Sequence, residues 1–161
     1  MKEETFAYTE TKSIGMFMYK FIKRLFDIIV SLLGIVFLIP LTIIIKIISM
    51  CSGDFHSIFF IQNRIGKNGK EFKFYKFRSM VPNADEILFK LLKENKEVAK
   101  EYKINKKLKN DPRITKIGKF LRKTSLDELP QLINILKGDM SLIGNRPYMP
   151  REKEDMGSSF E

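Results

Sequence analysis

The hydrophobic pattern changes character twice along the chain. From Ile28 to Ile45 it is unbroken: 18 residues without a charge, framed by Lys20, Lys23, Arg24 and Asp27 before and Lys46 after. At ~1.5 Å per helical residue the run measures about 27 Å, close to the ~30 Å hydrocarbon core of a bilayer. A single span is the simplest reading. Pro40 opposes it, because a proline inside a helix removes a backbone bond and clashes with the turn before it. The flanks oppose it too, since they are cationic at both ends and favour the cytoplasmic face for both. A segment that dips into one leaflet, breaks at Pro40 and returns satisfies both features. Its first arm, Ile28 to Ile39, would be about 18 Å long. The expectation is a re-entrant membrane helix-break-helix over residues 20–50, with a kinked span as the alternative. Burial in a soluble core is disfavoured, because no other apolar stretch is long enough to cover this one. A secretory signal is disfavoured as well, for want of a small-residue cleavage site. Residues 1–19 show no periodic pattern and are expected to be a loosely ordered tail.

Past Ser52-Gly53-Asp54 the pattern shortens to that of strands. Ser57–Gln62 is rich in β-formers, Asn68-Gly69 is a hairpin signal, and Glu71–Arg78 interleaves Phe72, Phe74 and Phe77 with basic residues. From Pro82 a helical period takes over. Ala84, Ile87, Leu88, Leu91, Leu92, Val98 and Tyr102 share one face of a helix that Asn83 and Glu86 would open as a capping box. Lys103–Lys109 is basic, suited either to anionic headgroups or to a solvated face. Asp111-Pro112 supplies an N-cap and first-turn proline for a helix carrying Ile114, Ile117, Phe120 and Leu121. Leu132, Ile133, Ile135 and Leu136 mark a last helix, stopped by Lys137-Gly138. Asp139–Pro147 reads as a rigid turn presenting Arg146. The fold class expected is α+β: the re-entrant segment, a short β-hairpin and several amphipathic or interfacial helices, with residues 51–161 forming one cytoplasmic membrane-surface domain.

Charge sharpens this picture. The chain of 161 residues carries a net +10, and residues 61–124 hold 19 Lys and Arg against 7 Asp and Glu, so that block is +12 and the remainder −2. Such a block suits a polyanionic partner: nucleic acid, an anionic membrane or a phosphate-bearing substrate. Aromatics alternating with Lys and Arg would suit single-stranded nucleic acid, but a hairpin burying its Phe face is the favoured account, and no nucleic-acid partner is expected. One cysteine, Cys51, excludes an internal disulfide, and the lone His56 has neither a His pair nor a Cys cluster to form a zinc site.

The chemistry gathers at Arg122-Lys123-Thr124-Ser125-Leu126-Asp127-Glu128-Leu129-Pro130. Ser125 with Glu128 three residues on has capping-box spacing, and Asp127 would suit a helix dipole. Pro130 complicates that structural reading, since it would remove a backbone bond at the fifth helical position. Adjacent carboxylates beside cations are also the parts of phosphoryl transfer: cations hold phosphate oxygens, and a carboxylate binds a divalent metal or attacks phosphorus. Lys76, Arg78, Arg122 and Arg146 are the candidate phosphate-binding cations. Nearby guanidinium groups would keep the carboxylate ionised.

The run Asp111 to Leu132, with Leu136-Lys137-Gly138-Asp139-Met140-Ser141-Leu142-Ile143-Gly144 after it, resembles the core signature of the bacterial sugar transferases. These are monotopic polyprenyl-phosphate phosphoglycosyl transferases. Lys23-Arg24-Leu25-Phe26-Asp27, Gln62-Asn63-Arg64-Ile65-Gly66 and Phe74-Tyr75-Lys76-Phe77-Arg78-Ser79-Met80 extend the resemblance over residues 20–150.

That resemblance implies a protein on the cytoplasmic face of the bacterial inner membrane, monotopic and in contact with anionic lipid. It implies transfer of a sugar 1-phosphate from a UDP-sugar to undecaprenyl phosphate, with release of UMP, initiating surface-polysaccharide or glycoconjugate assembly. Asp127 would be the nucleophile forming a covalent phosphosugar, and Glu128 would position or deprotonate the lipid phosphate. Mg2+ would sit at Asp127 and Glu128. Arg122 and Arg146 would contact phosphate or nucleotide, with Lys76 or Arg78 joining them. Departures from the family pattern are Ile39-Pro40 where Ser-Pro is usual, and Asn145-Arg146-Pro147 where Pro-Arg-Pro is usual. The sequence also stops at Glu161, short of the family's C-terminal third, so a catalytically inactive, truncated membrane-surface interaction protein is the competing expectation. The sugar, the oligomeric state and any chain completing the site are left open by the sequence.

Overall fold

The computed structural model describes residues 2–66 and 69–150, with residues 2–14 described by their backbone alone. In chain order the elements are α1 (Lys2–Cys51), β1 (Phe59–Ile65), β2 (Glu71–Phe77), α2 (Ala84–Glu94), α3 (Lys96–Asn105), α4 (Lys116–Lys123), a 3-10 turn (Leu126–Glu128) and α5 (Gln131–Lys137). The mixed α+β class read from the sequence is what the chain adopts, with β1 and β2 paired as an antiparallel hairpin. Asn68 of the hairpin signal lies outside the described residues, while Gly69 adopts a positive φ of 70°, the conformation glycine takes without steric cost.

α1 differs from expectation in two ways. It starts at Lys2, so the backbone of the stretch expected as a loose tail is helical; no proline interrupts it before Pro40. It also continues through Pro40, which lies inside the helix rather than in a loop between two. In an apolar segment this is the less costly arrangement, because the helix satisfies its own backbone groups on both sides of the one bond that proline removes. Gly15–Cys51 is long and apolar enough to cross a membrane, and Phe37, Val36, Leu33, Ile39 and Ile43 are among its exposed side chains.

The chain forms two compact units. Among the described residues, the first comprises 2–39, 62–66, 69–74 and 131–150. Here Arg24 donates to the carbonyls of Ile135 (2.6 Å) and Leu136 (2.7 Å), satisfying acceptors at the C-terminus of α5. Gly138, at φ 89°, ends that helix as its sequence implied. Asn134, fully buried, donates to the Lys73 carbonyl (2.6 Å) and to Asp139 (3.1 Å), so α5 is pinned to β2. Tyr148 pairs antiparallel with Ile65, and Arg64 donates to the Pro147 carbonyl and stacks over Phe74. The segment after Arg146 is therefore laid along the edge of β1.

The second unit comprises residues 40–61 and 75–130. Phe77 is its most deeply buried aromatic, stacked on Phe59 at 5.4 Å. The long amphipathic helix expected over 84–102 is two helices. Asn95 divides them, accepting bonds from the amides of Glu97 and Val98 as the N-cap of α3. Asn83 makes no side-chain capping bond, so the capping box expected with Glu86 does not form.

Candidate active site

Asp111 does not cap a helix as expected. Its carboxylate accepts from the Arg113 amide (3.1 Å), Nε (2.8 Å) and NH2 (2.7 Å), a bidentate pair with side chains 5% and 8% exposed. The bonds from Arg113 outweigh burial and hold the Asp111 carboxyl below its ordinary range. α4 starts four residues later, at the Thr115 cap, whose hydroxyl accepts from the Gly118 amide (2.9 Å).

Ser79, just past the end of β2, fixes α4 from both ends. Its carbonyl accepts from the Thr115 amide (3.1 Å), and its hydroxyl accepts from Arg122 Nε (2.8 Å). The backbones meet so closely that a Cβ on Gly118 would lie 1.9 Å from the Ser79 carbonyl oxygen. Only glycine fits there. Neither Ser79 nor Gly118 was singled out by sequence reasoning. A glycine inside an otherwise helical pattern was the available signal, since it marks close backbone approach.

The carboxylate pair follows α4. Ser125 turns the chain with φ 57° and makes no side-chain capping bond, so the capping box with Glu128 is not formed. A 3-10 turn carries Leu126, Asp127 and Glu128 instead, closed by the Leu129 amide on the Leu126 carbonyl (3.2 Å). Pro130, fully buried, cannot donate the next bond, which keeps this turn from lengthening into α-helix. Asp127 is half-buried, and burial raises its carboxyl above the ordinary range; Lys76 and Arg122 pull it down and Glu128 pushes it up. Lys76 Nζ lies 3.0 Å from Glu128 Oε1.

Four of the candidate residues are thus brought together: Lys76, Arg122, Asp127 and Glu128. Arg78 has other partners. Its Nε donates to the Ser57 carbonyl (2.6 Å), NH1 to the Met80 carbonyl (3.0 Å) and NH2 to Asp54 (2.8 Å). At Asp54 burial is outweighed by the bonds from Arg78 and His56, and its carboxyl lies below the ordinary range. Arg146 is exposed and belongs to the first unit, on the loop before Pro147. Pro40 is inside α1.

The Asp127 carboxylate feels two cations, Lys76 and Arg122, and a second carboxylate, Glu128, and these are parts that phosphoryl transfer uses. The comparison with known proteins agrees with that chemistry: a family model described as bacterial sugar transferase matches residues 18–161. The chain belongs to the bacterial sugar transferase family. It is 47% identical over 135 residues to an undecaprenyl-phosphate galactose phosphotransferase of Salmonella typhimurium, covering 84% of this chain and 28% of that protein. With the exopolysaccharide production protein ExoY of Sinorhizobium fredii it shares 43% identity over 139 residues, 86% of this chain and 61% of that one. With a protein of Bacillus subtilis described as a putative undecaprenyl-phosphate N-acetylgalactosaminyl 1-phosphate transferase it shares 42% over 132 residues, 82% and 65%. The chain therefore spans between about a quarter and two thirds of the length of these family members. The region matched by the family model takes in α1 from residue 18 onward, the hairpin, Ser79, Gly118 and the carboxylate pair.

Proposed function

We propose that this protein transfers a sugar 1-phosphate from a UDP-sugar to undecaprenyl phosphate at the cytoplasmic face of the inner membrane, initiating assembly of a surface glycan. The observation that carries the reading is the half-buried Asp127, whose charge Lys76 and Arg122 both stabilise, with Glu128 next to it in the chain and bonded to Lys76. In the first step an Asp127 carboxylate oxygen attacks the β-phosphorus. The bond from that phosphorus to the bridging oxygen breaks, and UMP leaves with the oxygen and its electron pair. In the second step a lipid-phosphate oxygen attacks the same phosphorus, its proton passing to Glu128, and the bond to Asp127 breaks to restore the carboxylate. In this reading Lys76 and Arg122 balance charge on the transferred phosphate.

Magnesium is part of the proposal. Two carboxylates beside a phosphate fit its preference for one or two carboxylates, phosphate oxygens and water, and among the described residues no larger acidic or histidine cluster competes for it. When bound, it would supply further neutralisation of phosphate charge. The cationic flanks on both sides of the run 28–45 support a monotopic attachment to the cytoplasmic leaflet. The test is UMP release by membranes holding the protein, given undecaprenyl phosphate, magnesium and a panel of UDP-sugars. Release with none of the sugars from folded, membrane-bound protein would refute the reading.

Two further results are expected. Ser79→Ala removes the acceptor that orients Arg122, and a bond to a charged group is worth ~1.5–3 kcal/mol, so kcat/KM should fall by about tenfold or more. Ser79→Cys, close in size but a poor acceptor, should fall similarly; unchanged kinetics in both would sever Ser79 from Arg122. The second concerns pH. Asp127 must be ionised to attack, and burial raises its pKa, so the acid limb of the rate profile should lie above the ordinary aspartate range. Lys76→Met removes the largest influence lowering that pKa and should move the limb further towards neutrality. A limb that stays in place would show that Asp127 ionisation does not control the rate.

A further inference from the structure

The loop 142–146 carries two adjacent exposed apolar side chains. Ile143 is 72% exposed and Leu142 is 39% exposed. Exposed aliphatics scattered singly are ordinary, but these are adjacent and tied to a defined level of α1. The Leu142 amide donates to Asp27 Oδ1 at 3.1 Å, and that aspartate is only 3% exposed. Asp27 is the last charged residue before the uncharged run from Ile28 to Ile45, and Leu25, Phe26 and Ile29 beside it are exposed. One turn earlier Arg24 grips the end of α5, and the other end of the loop is fixed where Tyr148 pairs with Ile65. The loop is therefore held at both ends, level with the point where α1 passes from charged to apolar sequence.

We propose that loop 142–146 is a second membrane-contacting element, seating Ile143 and Leu142 at the boundary between headgroups and acyl chains. The proposal rests on the membrane attachment of α1 but not on its topology. Whether α1 dips or spans, and whatever its tilt, the hydrogen bond that the Leu142 amide donates to Asp27 holds Leu142 within about one helical turn, ~5.4 Å, of the depth of Asp27. The occupant is the bulk bilayer. Ile143 and Leu142 are exposed and apolar like Leu25, Phe26 and Ile29 of α1 beside Asp27, while Arg146 on the loop and Lys20 and Lys23 on α1 supply cations for anionic headgroups. The tie also accounts for Asp27 itself. A carboxylate at the edge of the hydrocarbon is costly unless covered and bonded; Asp27 is buried, and the loop supplies a bond.

The chain has no tryptophan, so a single introduced indole reports its own surroundings. The full chain bearing Ile143→Trp is placed in phosphatidylcholine–phosphatidylglycerol vesicles without polyprenyl phosphate, which removes the lipid substrate as a source of signal. Leu33→Trp, on the exposed apolar face of α1, is made in parallel. For an indole seated ~5–10 Å into the interface, replacing the lipids with brominated counterparts should remove roughly half of the Ile143→Trp emission. Iodide should quench it weakly. Asn145→Trp, in the same loop, serves if the Ile143 variant fails to fold. Bromolipid quenching of Leu33→Trp with an unquenched, iodide-accessible loop indole would overturn the proposal and leave α1 in the membrane. Absence of quenching at both positions would refute the attachment of α1, and the proposal with it.

Discussion

Asp127→Asn should abolish UMP release while leaving the protein folded. Loss of a nucleophile that forms a covalent intermediate lowers kcat by roughly ten-thousandfold or more, and asparagine offers no anionic oxygen to attack phosphorus. The stability change should have the opposite sign. Because burial raises the Asp127 pKa in the folded state, the folded form holds that proton more tightly than the unfolded chain. The stability this contributes is present below the unfolded pKa and is lost as pH rises through the folded value. At neutral pH the charged Asp127 therefore opposes folding, and Asp127→Asn should unfold at the same or a higher temperature. Thermal unfolding in detergent beside the UMP assay checks both halves. A dead variant that unfolds much earlier would mean that Asp127 is structural; a variant that still releases UMP would mean that the nucleophile lies elsewhere.

Asp111→Ala should do the reverse, failing through stability. It leaves the Arg113 guanidinium buried without its carboxylate, and removing one partner of a buried ion pair costs about 3–5 kcal/mol. That pair fixes the turn whose backbone meets the strand end: Arg113 and Ser79 accept from the amides of Val81 and Thr115, and Met80 bridges to Ile114. α4 and the carboxylate turn should be displaced with it. Asp111→Asn, which keeps an acceptor, should lose less. Because the folded carboxyl lies below its ordinary range, the stability it contributes is present above the unfolded pKa and is lost as pH falls through the folded value. Chemical denaturation of both variants at neutral pH tests this, and equal stability of wild type and Asp111→Ala would remove the pair from the account of how α4 is held.

The features written locally in the sequence were the legible ones. The apolar run 28–45, the hairpin, the last helix with its glycine stop and the pairing of two carboxylates depend on neighbours in the chain. What escaped depends on competition between possible partners. Asn95 divides a continuous helical period because its side chain takes the amides of Glu97 and Val98, and periodicity is blind to that. Asp111 looked like a cap, but Arg113 offered it two charged donors and an amide. Ser125 had capping spacing but sits in the left-handed region, where its hydroxyl caps nothing. Arg78 looked like a phosphate ligand, and its donors are instead directed to Ser57, Met80 and Asp54. Ser79 acquires its role from Gly118 and Arg122, 39 and 43 residues further along.

The burial of Phe77 against Phe59 has a consequence for errors in folding. A β-strand slipped by one residue turns every side chain to the opposite face, and here it would drive the Lys76 ammonium into the slot that Phe77 fills at 1% exposure. An unpaired charge in such a place is strongly disfavoured. The same slip would take Lys76 from Glu128 and Ser79 from Arg122. The hairpin thus proofreads its own alignment: the misregistered chain that would scatter the Lys76–Glu128 and Ser79–Arg122 pairs is also the one that cannot close its core.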